Sequence, residues 1–163
     1  MTFIKNCNKI IYSFIESFER TDLFMAIKMT RREAREHLLG LVYETEFRTD
    51  DDKEVIFAGA IEERDVPDDK FIKSVFFGIC ENLEQIDALI EKNSVGWKTE
   101  RMSRVSRAIL RLGTYELKFA DDIPSSVTIN EAVELAKKYD DDRAKAFING
   151  ILNAIKNEVG EKK

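Results

Sequence analysis

The chain is poor in the residues that most catalytic and metal-binding schemes need. Its single histidine, His37, leaves no imidazole cluster for a metal and no histidine to spare for a Ser-His-Asp triad. The two cysteines, Cys7 and Cys80, stand far apart and outside any C-x-x-C spacing, so neither a disulfide framework nor a zinc site is suggested and a reducing, cytoplasmic setting is expected. Glycine is sparse, at 7 of 163 residues, and neither G-x-G-x-x-G nor the P-loop pattern occurs, which removes the usual nucleotide-binding signatures. Proline occurs only at Pro67 and Pro124, each at a break between helical patterns. No apolar run has the length needed to span a bilayer, so no membrane association is expected. In residues 1–28, Ile10, Ile11, Phe14, Ile15 and Phe18 share one face of a helical pattern. Asn6, Asn8, Ser13 and Glu16 interrupt the apolar core that a signal peptide would require.

What is present is helical periodicity. Hydrophobic residues make up 44% and charged residues 35%, enough for a single domain or two small helical halves around a shared core. The net charge of -5 argues against indiscriminate nucleic-acid binding, so any RNA site must be a local basic patch. Thr30 and Glu33 have capping-box spacing and open a helix whose inward stripe is Ala34, Leu38, Leu41, Val42 and Thr45. Arg31, Arg32 and Arg35 crowd its first turns, where the helix dipole disfavours cations. They form either a solvated face balanced by Glu33 and Glu36, or a phosphate-contacting patch. Asp50 to Asp52 make a loop, Lys53–Arg64 a shorter helix, and Asp68–Asn93 one long helix acting as a spine. Trp97 is expected to anchor the connection into the second half.

The next helix, Arg101–Phe119, turns Met102, Val105, Ile109 and Leu112 inward. Arg101, Arg104, Arg107 and Arg111 form a second stripe, which either faces RNA or, the favoured reading, pairs with Glu100, Glu116 or acids of the first half. Thr128 and Glu131 again have capping-box spacing and predict a helix start, with Ile129, Ala132, Val133, Ala136 and Tyr139 as its apolar stripe and Glu134 paired to Lys138 outside it. Asp140 to Asp142 lack the alternating ligands of an EF-hand loop and read as an acidic turn before a helix N-terminus. In the last helix Phe147, Ile148, Ile151, Leu152, Ile155 and Val159 surround most of the circumference, so it is expected to be buried. Gly150 is expected to admit a neighbouring backbone, and Asn149 is either at the solvent edge or buried and hydrogen-bonded. Residues 161–163 read as a charged tail.

RAILRLGTYEL (Arg107 to Leu117), Pro124, INEAVELAKKY (Ile129 to Tyr139) and FINGIL (Phe147 to Leu152), with TRREAREHLLGLVYETEF (Thr30 to Phe47), together resemble the NusB transcription antitermination family over about 130 residues in consistent order. The resemblance implies an all-α, NusB-like fold of about seven helices, two small helical bundles joined by a long central helix, over residues 29–160. On that reading translation starts at Met29 and residues 1–28 are an N-terminal extension; the other reading is an extra helix packed on the domain or a partner. The resemblance also implies a non-catalytic role without cofactor or metal. Single-stranded boxA RNA is recognised together with the ribosomal protein NusE, within an RNA polymerase antitermination complex that includes other Nus factors. The RNA-binding residues it implies are Arg31, Arg32 and Arg35 of the arginine-rich segment, and Tyr139, Arg143, Lys145 and Phe147 around the last corner. Tyr139 and Phe147 are stacking candidates, with core packing as the other reading. The chain departs from the family pattern where Ala144-Lys145-Ala146 replaces the Ser-x-Lys or Ser-x-Arg that precedes the phenylalanine in many relatives. The fold also resembles the N-terminal domain of certain ribosomal RNA cytosine methyltransferases, whose long catalytic domain 163 residues cannot house. The two function classes left are an RNA-binding adaptor and a helical protein-interaction domain.

Overall fold

The computed structural model describes residues 29–94 and 101–160. The sequence expectations for residues 1–28, Trp97 and the tail at 161–163 therefore lie outside the described residues. Seven helices are described: α1 (Arg31–Thr45), α2 (Lys53–Arg64), α3 (Lys70–Glu81), α4 (Leu83–Asn93), α5 (Arg104–Phe119), α6 (Ser125–Tyr139) and α7 (Asp142–Val159). Among the described residues there is no strand.

Four of the helix starts have a side-chain oxygen on otherwise unpaired backbone amides: Asp52 on Glu54, Asp69 on Phe71 and Ile72, Ser103 on Ser106, and Asp141 on Arg143 and Ala144. Each such cap stabilises its helix by about 1 kcal/mol. The helix α5 is central. It packs against α3, α4, α6 and α7, and Ala108, Ile109, Leu110, Leu112 and Leu117 are all buried. Ile148, Ile151, Leu152 and Ile155 of α7 and Ile129, Ala132, Leu135 and Ala136 of α6 complete that side of the core. In α1 the stripe Ala34, Leu38, Leu41 and Val42 is buried as its spacing predicts.

The structure departs from the sequence reading in four places. The long spine is two helices, because Asn82 leaves helical geometry at φ -109°, ψ 16° and its side-chain amide donates to the Gly78 carbonyl at 2.8 Å. An Asn side chain that bonds nearby backbone competes with the helical ladder. The apolar faces on either side, Ile72, Val75, Phe76 and Ile79, then Ile86 and Ile90, stay buried. Second, α6 starts at Ser125, directly after Pro124, and not at Thr128. Thr128 is a buried residue of α6 whose hydroxyl donates to Glu116 Oε2 at 2.9 Å, and Glu131 reaches Arg32 instead of a capping amide. Its Glu134 pairs with Lys137, not Lys138. Third, α7 is buried along one stripe only: Gly150 and Asn149 are exposed, and a Cβ built at Gly150 meets nothing within 4 Å. Asn149 accepts from the Asn153 amide one turn on. Fourth, the α6 stripe ends before Tyr139, which is 44% exposed.

Candidate nucleic-acid interface

The start of α1, the end of α6 and the start of α7 carry the cations and aromatics singled out by the sequence. Arg31 and Arg32 are exposed on the first turn of α1. Arg32 crosses to α6, its Nε and Nη2 donating to the two Glu131 carboxylate oxygens at 3.1 and 2.9 Å. Arg35 takes a different course. Only 4% exposed, it donates from Nε and Nη2 to Glu116 Oε1 and Oε2 at 2.8 and 3.0 Å. Glu116 is itself 1% exposed and also holds the Thr128 hydroxyl, so one enclosed carboxylate ties α1, α5 and α6 together. The expectation that Arg35 meets phosphate is therefore corrected. A guanidinium that is buried and holds an enclosed carboxylate through Nε and Nη2 is withdrawn from an outside ligand.

The end of α6 offers an exposed ring. Tyr139 donates its hydroxyl to Glu36 Oε2 at 3.0 Å, and Lys138 places its ammonium 2.8 Å from both Glu36 oxygens and 5.1 Å from the Tyr139 ring centroid. The hydrogen bond from Lys138 holds the Glu36 carboxyl below the usual carboxylate range, and that from Arg32 does the same for Glu131. Both acids are ionised at neutral pH.

Between α6 and α7 the triple aspartate makes the corner. Asp140 accepts from the Ser103 and Ser106 hydroxyls at 3.0 and 2.5 Å, which fastens the corner to the first turn of α5. Asp141 caps α7 through the Arg143 and Ala144 amides at 2.8 and 2.9 Å. A groove of about 370 Å³ opens beside it, with Arg101, Arg143 and Phe147 on its walls. Phe147 is half-buried and Arg143 is exposed, while Lys145 turns back to Asp142 at 2.9 Å.

Two exposed aromatics escaped the sequence reading. Tyr43 and Phe47 on the outer side of α1 and its following turn are 36% and 55% exposed, with ring centroids 5.2 Å apart. The Arg104 guanidinium lies 4.4 Å from the Phe47 centroid, and Tyr43 and Tyr139 flank an apolar groove over Leu39 and Gly40. The signal was available: Tyr43 and Phe47 are four apart and off the stripe of Leu38, Leu41 and Val42, so they could not be core. The remaining arginines of the α5 stripe take the structural role. Arg107 binds Glu46 at 2.9 Å, and Arg111 binds Asp87 at 2.8 and 2.7 Å and also Glu46. These partners are acids of the first half, as the favoured reading allowed, and Glu100 lies outside the described residues.

Among the described residues no group of three His, Cys, Asp or Glu side chains is arranged to hold a metal ion, and no helix is long and apolar enough to cross a membrane. The fold and this corner define an all-helical bundle that sets exposed rings beside cations, the pairing by which proteins grip unstacked bases and their phosphates. The chain belongs to the NusB family, whose model matches residues 32–157. Transcription antitermination protein NusB of Clostridium perfringens (strain SM101 / Type A) is 43% identical over 135 residues, covering 80% of this chain and 99% of that protein. The solved structure of T. maritima NusB superposes with a TM-score of 0.72 at 41% identity, over 81% of this chain and 94% of that one. A crystal structure of antitermination factors NusB and NusE in complex with dsRNA gives a TM-score of 0.70 at 29% identity, over 78% of this chain and 96% of that one.

Proposed function

We propose that this protein is a transcription antitermination factor that binds boxA RNA jointly with the ribosomal protein NusE and promotes processive transcription of ribosomal RNA operons. It acts in the cytoplasm, within an RNA polymerase complex that includes other Nus factors, as a regulatory protein and not an enzyme. The observation that carries the reading is the run of exposed rings and cations from α1 across the end of α6 to the start of α7, on a fold that matches a NusB solved with NusE and RNA. The residues assigned to RNA are Arg31, Arg32, Tyr139, Arg143, Lys145 and Phe147, joined by Tyr43 and Lys138. Arg35 supports the site from beneath by holding α1 to α5 and α6. Cations supply affinity that is blind to sequence, and stacking on the rings with base-edge hydrogen bonds supplies discrimination. If NusE and RNA touch each other as well as this chain, each binds more tightly in the presence of the other by the same factor.

Fluorescence anisotropy with boxA RNA, a scrambled strand of equal length and a duplex, each with and without NusE, tests the assignment. Tighter binding of single-stranded boxA, with the margin widened by NusE, is the expected result. Equal affinity for boxA and the scrambled strand, even with NusE present, overturns it and leaves a helical protein-interaction domain.

A further inference from the structure

The cations on the α1–α6 face are already occupied. Arg32 holds Glu131 through two hydrogen bonds, Lys138 holds both oxygens of Glu36 at 2.8 Å, and Lys137 holds Glu134 at 2.5 Å. These six side chains line one groove and carry three charges of each sign. The pairs are open to water on their cation side: the Arg32 and Lys138 side chains are 55% and 56% exposed, against 15% and 28% for Glu131 and Glu36. Exposed pairs of this kind contribute little to folding, so stability gives no strong reason for acids at these positions. Their effect on an arriving polyanion is larger. A phosphate that takes the Nε and Nη2 donors of Arg32, or the Lys138 protons given to Glu36, displaces a carboxylate that its partner keeps ionised at neutral pH.

We infer that Glu131 and Glu36 set both the strength and the salt dependence with which this face holds RNA, by making each phosphate contact an exchange against a protein carboxylate. The inference rests on the proposed function, since it concerns the same face. Its physics is specific. Neutralising a phosphate normally releases the cations condensed on the strand, and that release makes affinity fall with salt. Where the phosphate evicts a carboxylate, the freed carboxylate gathers cations in turn, and the net release shrinks. Affinity at low salt is therefore reduced and the salt slope is shallower than the number of contacted cations implies. Because the exchange is the same for every sequence, it changes affinity without changing the ratio between RNAs.

Glu131→Gln and Glu36→Gln test this in the full chain, singly and together. Gln keeps the side-chain shape, and at position 36 it keeps an acceptor for the Tyr139 hydroxyl. The control is Glu158→Gln, which removes the same formal charge from a pair with Lys92 outside the groove. Binding of boxA and scrambled RNA is measured by anisotropy over a salt series, and melting is recorded for each variant. The expected result is tighter binding of both RNAs at low salt, by up to about fivefold per substitution. The slope of log affinity against log salt should steepen by about 0.7 per uncovered cation on single strands, with the ratio between the two RNAs unchanged and the control behaving as the parent. Weaker binding in the Gln variants, an unchanged slope, a changed ratio, or an equal gain in the control each overturns the inference. If Glu131→Gln lowers the melting temperature, Glu36→Gln decides alone, since its acceptor for Tyr139 remains. Equal affinity of the parent for boxA and scrambled RNA sinks the functional reading separately, whatever the slopes do.

Discussion

At the scale of single residues, the arginines of the first α1 turns divide by what surrounds them. Arg32 faces solvent across an exposed pair with Glu131, whereas Arg35, three positions on, turns under the helix onto Glu116, where both groups are enclosed. Burying two charges costs several kcal/mol of desolvation each, and only mutual attraction and complete hydrogen bonding offset it. Glu116 has that complement from Arg35 and Thr128. Removing one partner strands the other. Arg35→Ala is therefore expected to destabilise the fold by about 3 to 5 kcal/mol, read by denaturant titration. The paired change Arg35→Met with Glu116→Leu should recover much of that loss, because it leaves no orphaned charge. Arg32→Ala should leave the denaturation midpoint close to the parent's and weaken RNA binding instead. A mild effect of Arg35→Ala on stability, joined to a reduced salt slope, would return Arg35 to the RNA face.

At the scale of helices, the close approach that the sequence assigned to Gly150 is found at Gly78. A Cβ at Gly78 would fall on the Tyr115 ring, at a crossing of α3 and α5, while Gly150 has open space on the solvent side of α7. Gly150→Ala is expected to stabilise by up to about 1 kcal/mol through helix propensity. Gly78→Ala, with the same propensity gain, is expected to lose about 1 to 3 kcal/mol to overpacking. Thermal melting of the two variants checks the contrast, and equal shifts would mean that the α3–α5 crossing is loose enough to yield. Helix positions were legible because period and capping chemistry agree: the acidic loop predicted α2 at Lys53–Arg64, and the inward stripes of α1 and α5 are mostly the buried ones. What stayed hidden depends on partners distant in sequence. Thr128 and Glu131 have the spacing of a local cap, yet their oxygens serve Glu116 and Arg32 on other helices. The Asn82 break was invisible because the apolar faces of α3 and α4 both continue into the core. The same limit governed the site. Residue type picked out Tyr139 and Phe147 as rings that could stack, but only packing shows that Arg35 is enclosed and that Tyr43 stands across a groove from Tyr139.

At the scale of the whole molecule, a chain of net charge -5 keeps many of its carboxylates in ion pairs between helices, and this fixes how it should respond to acid. Glu131 and Glu36 lie below the usual carboxylate range, chiefly through hydrogen bonds from Arg32 and Lys138; Glu158 is lowered by Lys92 and Asp142 by Lys145. A carboxyl whose folded-state pKa is depressed binds a proton less readily in the folded chain than in the unfolded one. Its contribution to stability is thus complete above the unfolded carboxylate range and is lost as pH falls through the folded value. Melting temperature should be nearly level from pH 7 down to about 5 and should fall below about pH 4.5, where unfolded glutamates begin to take up protons. Most of these pairs are exposed, so each adds a small increment that salt reduces. The double variant Glu131→Gln with Glu36→Gln separates these groups from the remaining acids. It should start slightly below the parent at pH 7 and approach it as the pH falls towards 3, because it has fewer depressed carboxyls to lose. Parallel curves for parent and variant between pH 7 and pH 3 would show that the α1–α6 pairs have no part in the acid response. That response would then belong to carboxyls depressed elsewhere, such as Glu158 beside Lys92 and Asp142 beside Lys145.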